Sequence, residues 1–232
     1  MGSSLYVLIL LIEWVLLVTL AAPLFLVGKF RKTPTLGIFI WLFALASSLI
    51  AVIWGVWISV FSIFTTYTQL RNEEDLATIL VASFAPWILL ALAGILLTVA
   101  NQRLAGFFEV AGPIGLLAGK FVRHFEGVEV MELSVPGYFA LAKDGKIYLS
   151  PDVLGLEDSD LQAILTHEIA HIKLGHEQIK KLAYIAYRLF PKIAASRALV
   201  SEVSRLCEIA ADKRAQKRFP KEKLDRLRKL FI

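Results

Sequence analysis

Three long apolar stretches in the first hundred residues restrict what this chain can fold into. They run over residues 5–27, 36–64 and 77–100, and each reaches the length of about 20 residues that a helix needs to cross the hydrocarbon core of a bilayer. Of the 232 residues, 57% are hydrophobic, and the mean hydropathy is +0.65. The sequence therefore predicts an α-helical membrane region with three transmembrane helices.

The links between these stretches differ in charge and predict an orientation. The link over residues 28–32 carries three basic residues, whereas the link over residues 71–75 carries one arginine and three acidic residues. Because basic links tend to stay in the cytoplasm, the N-terminus is expected outside and everything beyond residue 100 inside. We predict a transmembrane domain over residues 1–100 and a cytoplasmic domain over residues 101–232.

Composition excludes several kinds of function. The single cysteine, Cys207, cannot form an intramolecular disulfide or a cysteine zinc ribbon, so histidines and carboxylates would have to hold any metal. The formal net charge is +5, but the basic residues form no recognisable nucleic-acid-binding signature. We therefore expect no nucleic-acid partner and interpret the basic excess as a solvated or lipid-facing surface.

Beyond residue 100 the pattern indicates an α+β domain with a small β-sheet. An amphipathic helix is predicted over Ile114–Phe125 and a strand over residues 128–133, which alternate with period two. Residues 138–149 read as two strands around Asp144-Gly145, a strong hairpin signal. After Pro151 the chain is predicted to be helical, and a short amphipathic helix is predicted over Lys221–Ile232.

The predicted helix over Leu182–Val200 is too basic for a good span, since it contains two arginines and a lysine. Its apolar residues recur at helical spacing opposite the basic ones. The helix is expected either to lie on the inner leaflet or to pack onto the catalytic core.

The segment from His167 to His171 carries the predicted chemistry. Two histidines four residues apart lie one turn from each other on a helix, so their imidazoles can chelate one metal ion. Glu168 lies next to them, close enough to take a proton from water without ligating the metal. The alternative is a buried helix that happens to contain two histidines, but all of their polar atoms would then need partners.

Two histidines leave a catalytic zinc one protein ligand short. His176 lies five residues beyond His171, off the same helical face, and Gly175 is expected to end that helix. Glu208 and Asp212 form another pair four residues apart, so a second helix can offer Glu208 to the metal and Asp212 to a histidine from behind. Alone, this pair would suggest a solvated helix face; beside the first motif, Glu208 is interpreted as the third metal ligand and Asp212 as the partner of a histidine.

Residues 134–215 resemble the membrane-embedded gluzincin zinc metallopeptidases. His167–His171, and then Glu208 with Asp212, look like the two motifs of the HtpX-like heat-shock endopeptidase family and its prenyl-protein-processing relatives. The resemblance implies that Zn²⁺ is the cofactor, that His167, His171 and Glu208 are its ligands, and that Glu168 is the catalytic base.

A further stretch resembles that family's strand Pro-Asn-Ala-Phe-Ala, with the asparagine and first alanine replaced. It contains the residues expected to bind substrate, namely Gly137, Tyr138, Phe139 and Ala140. A substrate is expected to add as a strand along residues 137–142; ordinary sheet structure is the equal alternative.

The three spans and Phe190-Pro191 are also similar to the β-lactam sensor-transducer peptidases. The chain departs from both families, because HtpX-like enzymes have spans between the two motifs and because no sensor domain is expected after residue 232.

The sequence thus predicts a zinc-dependent membrane endopeptidase in protein quality control, in which Glu168 deprotonates water activated by zinc. Its expected partners are membrane lipid and protein or peptide substrates that lie in or near the membrane. Two alternatives stay open: a signal-transducing peptidase that cleaves a cytoplasmic regulator, and a non-catalytic membrane scaffold.

Overall fold

A computed structural model describes residues 2–70, 84, 88, 90–103 and 119–231. Two long helices, α1 (Gly2–Leu26) and α2 (Pro34–Leu70), come first and are joined by a turn with a short 3₁₀ helix at Lys29–Arg31. A helix α3 covers residues 90–103. The predicted third span, over residues 77–100, lies partly outside the described residues and stays a prediction.

Helices α1 and α2 are long and apolar enough to cross a membrane, over Tyr6–Leu26 and Pro34–Ser62. Only 11% and 22% of their most apolar windows are buried in the protein. Large side chains such as Leu24 and Trp57 are 78% and 65% exposed. An apolar surface of this extent is typical of contact with lipid, so the two helices agree with the predicted membrane region.

A four-stranded mixed sheet follows, in the order β1-β2-β4-β3. Its strands are β1 (Lys120–Phe125), β2 (Val128–Glu132), β3 (Ala140–Lys143) and β4 (Lys146–Leu149). β2 pairs antiparallel with β1 and parallel with β4, and β3 forms an antiparallel hairpin with β4. Asp144 and Gly145 both have positive φ, as a two-residue hairpin turn requires, so the predicted hairpin is confirmed.

The predicted helix over Ile114–Phe125 is wrong for residues 120–125, which form β1; residues 114–118 lie outside the described part. The pattern was misleading because Phe121 and Phe125 fit a helical as well as a strand spacing. Pairing with β2 through the turn at Glu126-Gly127 decides the conformation.

Five helices complete the chain: α4 (Pro151–Leu154), α5 (Asp158–Lys173), α6 (His176–Leu189), α7 (Ala194–Ala215) and α8 (Lys221–Arg228). A 3₁₀ helix at Lys229–Phe231 continues α8. The predicted single helix over Leu182–Val200 is wrong, because it is divided between α6 and α7. Pro191 lacks an N–H and disfavours helical backbone at Phe190, which ends the first helix there.

Two clusters of buried side chains hold these elements together. One lies between the sheet, α5 and α8 and includes Ile147, Leu149 and Leu165, each fully buried. The other joins the apolar helices to the later part of the chain, since Ala22, Ile38 and Trp41 pack against α6 and α7.

The turn between α6 and α7 lies beside the apolar helices. Arg188 donates a hydrogen bond of 3.1 Å to the carbonyl of Arg103, and Arg103 donates one of 3.0 Å to the carbonyl of Leu189. Together with α1, α2 and α3, the turn encloses an apolar cavity of 340 Å³. The divided segment therefore packs against the apolar helices.

The contact between α2 and α7 at Gly37 gives a test of this arrangement. A Cβ at Gly37 would lie 2.4 Å from Cβ of Phe30 and 2.9 Å from Leu206 Cδ1, so we expect Gly37→Ala to lower the free energy of unfolding by about 1–3 kcal/mol. The measurement is the thermal unfolding midpoint in detergent micelles. Gly55→Ala is the matched control, because its nearest neighbour is 4.0 Å away; equal midpoints for the two variants would contradict the close packing.

Candidate active site

Helix α5 presents the first motif in a fixed register. Asp158 and Asp160 lie in its first turn and Lys173 in its last turn, where each charge sign suits the helix dipole. Gly175 follows with a φ of 64°, which ends the helix as the sequence predicted. The helix buries Leu165 and Ile169 in the core, and this leaves the two histidines on the face toward α7.

Three side chains from α5 and α7 converge at one point. Nε2 of His167 lies 3.1 Å from Nε2 of His171, and Oε2 of Glu208 lies 3.4 Å and 3.5 Å from these two atoms. In a tetrahedral zinc site with bonds of about 2.05 Å, neighbouring ligand atoms are about 3.3 Å apart. The donor set and its spacing therefore fit zinc, and within the described part of the chain these three residues are the group that could hold a metal.

Asp212 lies behind His167, as the sequence predicted. Its Oδ1 is 3.1 Å from Nδ1 of His167, and its Oδ2 accepts a hydrogen bond from Arg228. Burial opposes protonation of His167, but the hydrogen bonds to Asp212 and Glu208 outweigh it and raise the pKa of the imidazole to about 9. This contact fixes the ring with Nε2 directed toward His171, the orientation that a metal ligand needs.

His176 stands behind the second histidine instead of joining the ligand group. Its Nδ1 lies 2.9 Å from Nδ1 of His171, and the side chain is 1% exposed. Burial, together with the charge of His171, lowers the pKa of His176 to about 4, so the ring is neutral at physiological pH. Among the described residues, Glu208 and not His176 converges with His167 and His171.

Lys180 holds the remaining oxygen of Glu208, with Nζ 2.7 Å from Oε1. Burial would raise the pKa of Glu208, but hydrogen bonds from both histidines and Lys180 lower it well below its usual range. Sequence reasoning missed Lys180 and Arg228. The available signal was weak: Lys180 lies four residues after His176, on the same face of α6.

His167, His171 and Glu208 are called the convergent group here. Glu168 lies between this group and the edge strand β3. The backbone of Ala142 hydrogen-bonds to its carboxylate, and burial raises its pKa above the usual range. It does not belong to the ligand group. A partly buried carboxylate with a raised pKa is placed to accept a proton.

A cleft of 230 Å³ opens beside these residues. Its polar wall consists of His167, Glu168, Glu208, Asp212 and Arg228, and its apolar wall of Ala140, Ala163, Ile164, Leu224, Leu227 and Phe231. Substrate could approach along β3, which pairs only with β4 among the described strands.

The four predicted substrate residues occupy different positions. Ala140 lines the cleft, whereas Phe139 is hydrogen-bonded through its backbone to Ser150. Tyr138 is 41% exposed and meets Phe231 edge-on, with ring centroids 6.4 Å apart. Gly137 precedes them with a φ of 79° and has open space around its Cα.

The contact between Asp212 and His167 predicts an effect on metal binding. Asp212→Ala removes the acceptor that orients the imidazole, so we expect zinc affinity to fall about 10–100-fold, measured by competition with a chelating dye. Asp225→Ala is the control, since Asp225 is exposed on α8 and has no polar partner in the part of the chain described here. Unchanged affinity in Asp212→Ala would show that the ring orients without this carboxylate.

Comparison with known families bears on the same part of the chain. Residues 117–231 match the model of Peptidase family M48, a segment that contains the sheet, helices α4–α8 and every residue of the convergent group. No curated protein and no solved structure matches the chain. The matched segment, 115 of the 232 residues, is thus similar to Peptidase family M48, and the match indicates a metallopeptidase.

Proposed function

We propose that this chain is a zinc-dependent endopeptidase of the HtpX-like type that cleaves membrane or membrane-proximal proteins. The observation that carries the proposal is the set of three ligand atoms from His167, His171 and Glu208, which are 3.1–3.5 Å apart beside the carboxylate of Glu168. The match to a metallopeptidase family supports it.

His167, His171 and Glu208 would hold the zinc. When bound, zinc supplies a Lewis acid that activates water for attack and polarises the peptide carbonyl. Asp212 keeps the ring of His167 in the ligating orientation, and Lys180 holds Glu208 through its second oxygen.

Glu168 serves as the general base. Its carboxylate takes a proton from the attacking water and passes it to the amine that leaves. The N–H of Ala142 holds the carboxylate against β3, and burial raises its pKa and so strengthens it as a base.

The substrate binds as an extended segment along residues 137–142. The edge of β3 that is unpaired among the described strands offers backbone hydrogen bonds, and the apolar wall of the cleft accepts an apolar side chain. Unfolded or damaged membrane proteins expose extended apolar segments, so this combination supports a role in protein quality control.

The chain is proposed to have three spans within residues 1–100, with the N-terminus outside and the catalytic domain, residues 101–232, in the cytoplasm. The exposed apolar surfaces of α1 and α2 support the membrane placement. The basic turn between them supports the orientation.

Substitution of the base tests the chemistry. We expect Glu168→Gln to retain zinc and to lower the rate of casein hydrolysis by about 10²–10⁴-fold, because the amide cannot accept the proton. Glu222→Gln, an exposed change on α8, serves as the control and should keep full activity. Equal activity of Glu168→Gln and the parent protein refutes the role of Glu168, and absence of zinc from the parent protein refutes the metal assignment.

Cysteine labelling tests the orientation. Cys207 is buried, and burial raises the pKa of its thiol to about 12, so it should not react. In intact cells, a membrane-impermeant maleimide should label Asn72→Cys, whereas Asp225→Cys should react only after permeabilisation. The reverse pattern would place the catalytic domain outside.

A further inference from the structure

A second cavity lies apart from the active-site cleft and has no lining residue in common with it. Its volume is 680 Å³. One wall is the turn between α1 and α2 and the first turn of α2, over residues 32–36, and the other consists of α5 and the C-terminal half of α7. It is called the basic cavity here.

Cationic side chains dominate the basic cavity. Six line it, namely Lys32, Lys173, Lys213, Arg214, Lys217 and Arg218, against the single carboxylate of Glu126. Like charges gathered in a concave surface repel one another unless an anion lies among them. The basic cavity therefore has an excess of five positive charges to neutralise.

Ion pairs within the protein neutralise only part of this charge. Glu126 accepts a hydrogen bond of 2.6 Å from Lys173 and another from Arg218. Among the described residues, no carboxylate lies within ion-pair distance of Lys32, Arg214 or Lys217, and all three are exposed. These three cations are available to an external anion.

The backbone adds to the positive potential. Helix α2 has 37 residues, begins at Pro34 at the cavity wall and has no acidic residue in its first turn. The N-terminus of a long helix carries partial positive charge and unpaired N–H groups, which favour a phosphate.

The position of the basic cavity indicates which kind of molecule would carry such a phosphate. Its wall is the turn where α1 ends at Leu26 and α2 begins at Pro34, which is the boundary of both candidate spans. Leu36 lines the same cavity and is 50% exposed, so an apolar side chain lies next to the cations. A ligand with an anionic head and an apolar tail matches both features.

We propose that the basic cavity binds the phosphate headgroup of an anionic phospholipid from the leaflet that faces the catalytic domain. The proposal rests on the membrane placement proposed above but not on the zinc chemistry. Thr166 and Lys213 line the cavity and directly adjoin His167 and Asp212 in sequence. A bound headgroup would therefore tie the turn between the spans to the two helices that carry the convergent group.

The test titrates full-length protein in neutral detergent micelles with dioctanoyl phosphatidylglycerol and follows the thermal unfolding midpoint, which rises when a ligand binds the folded state. Parallel titrations use dioctanoyl phosphatidylcholine, glycerol phosphate and inorganic phosphate. We expect saturable stabilisation by phosphatidylglycerol only. Since each cation near an anionic surface contributes about fivefold to affinity, Lys213→Gln, Arg214→Gln and Lys217→Gln together should weaken binding by roughly 100-fold.

Two control variants distinguish binding at the basic cavity from a general effect of the net charge of the protein. Lys181→Gln, Lys221→Gln and Lys229→Gln remove three exposed charges elsewhere and should leave the affinity unchanged. The exchange Lys213→Arg, Arg214→Lys and Lys217→Arg keeps the charge and should retain binding, which excludes misfolding as the cause of a loss.

Other outcomes overturn the proposal. Equal saturation by inorganic phosphate or glycerol phosphate would identify a soluble phosphate ligand instead of a lipid. Equal weakening in the two charge-removing variants would show that net charge and not the basic cavity attracts the lipid. Carbonate extraction of membranes tests the membrane placement separately, so that its failure is distinguishable from failure of the lipid site.

Discussion

The packing of α7 between the apolar helices and α5 is the constraint on which the rest of this structure depends. One part of α7 contacts the first two helices, where Val203 and Leu206 are fully buried in the cluster with Ile38 and Trp41. The next turns of the same helix carry Glu208 and Asp212 to the histidines of α5. Because a helix is rigid over this length, side-chain packing sets the position of Glu208 and Asp212 relative to the apolar helices.

The convergent group is stabilised by charges that compensate one another. Burial alone would neutralise Glu208 and disfavour protonation of His167. Lys180, Asp212 and Arg228 supply the opposite charges and hydrogen bonds, so each carboxylate contacts a cation or an imidazole. Buried ionisable groups cost free energy unless they are paired. The ion pairs and hydrogen bonds of Glu208, Asp212 and His167 meet this requirement, whereas Nε2 of His176 is buried without a partner among the described residues.

Two cavities in the later part of the chain differ in their lining. The cleft beside Glu168 has an apolar wall and borders β3, which pairs only with β4 among the described strands; this arrangement suits an extended peptide. The basic cavity instead borders the turn between the candidate spans and contains the excess of cations. Residues of α5 and α7 line both cavities, so one pair of helices connects the turn between the candidate spans to the cleft beside Glu168.

Local sequence determined the elements that depend on local chemistry. The apolar stretches predicted α1 and α2, Asp144-Gly145 predicted the β3–β4 hairpin, and Gly175 predicted the end of α5. The spacing of His167, Glu168 and His171 on a helix, and of Glu208 with Asp212, follows from helical geometry alone.

Only the tertiary structure decided what depends on distant contacts. Strand pairing made residues 120–125 a strand where the pattern predicted a helix. The segment that Pro191 divides takes its position from packing against the apolar helices. The approach of α6 and α7 brought Lys180 to Glu208 and set His176 behind His171, and the turn after α1 met α7 to form the basic cavity. Periodicity describes one element at a time, and such contacts join residues far apart in the chain, which is why the sequence alone could not determine them.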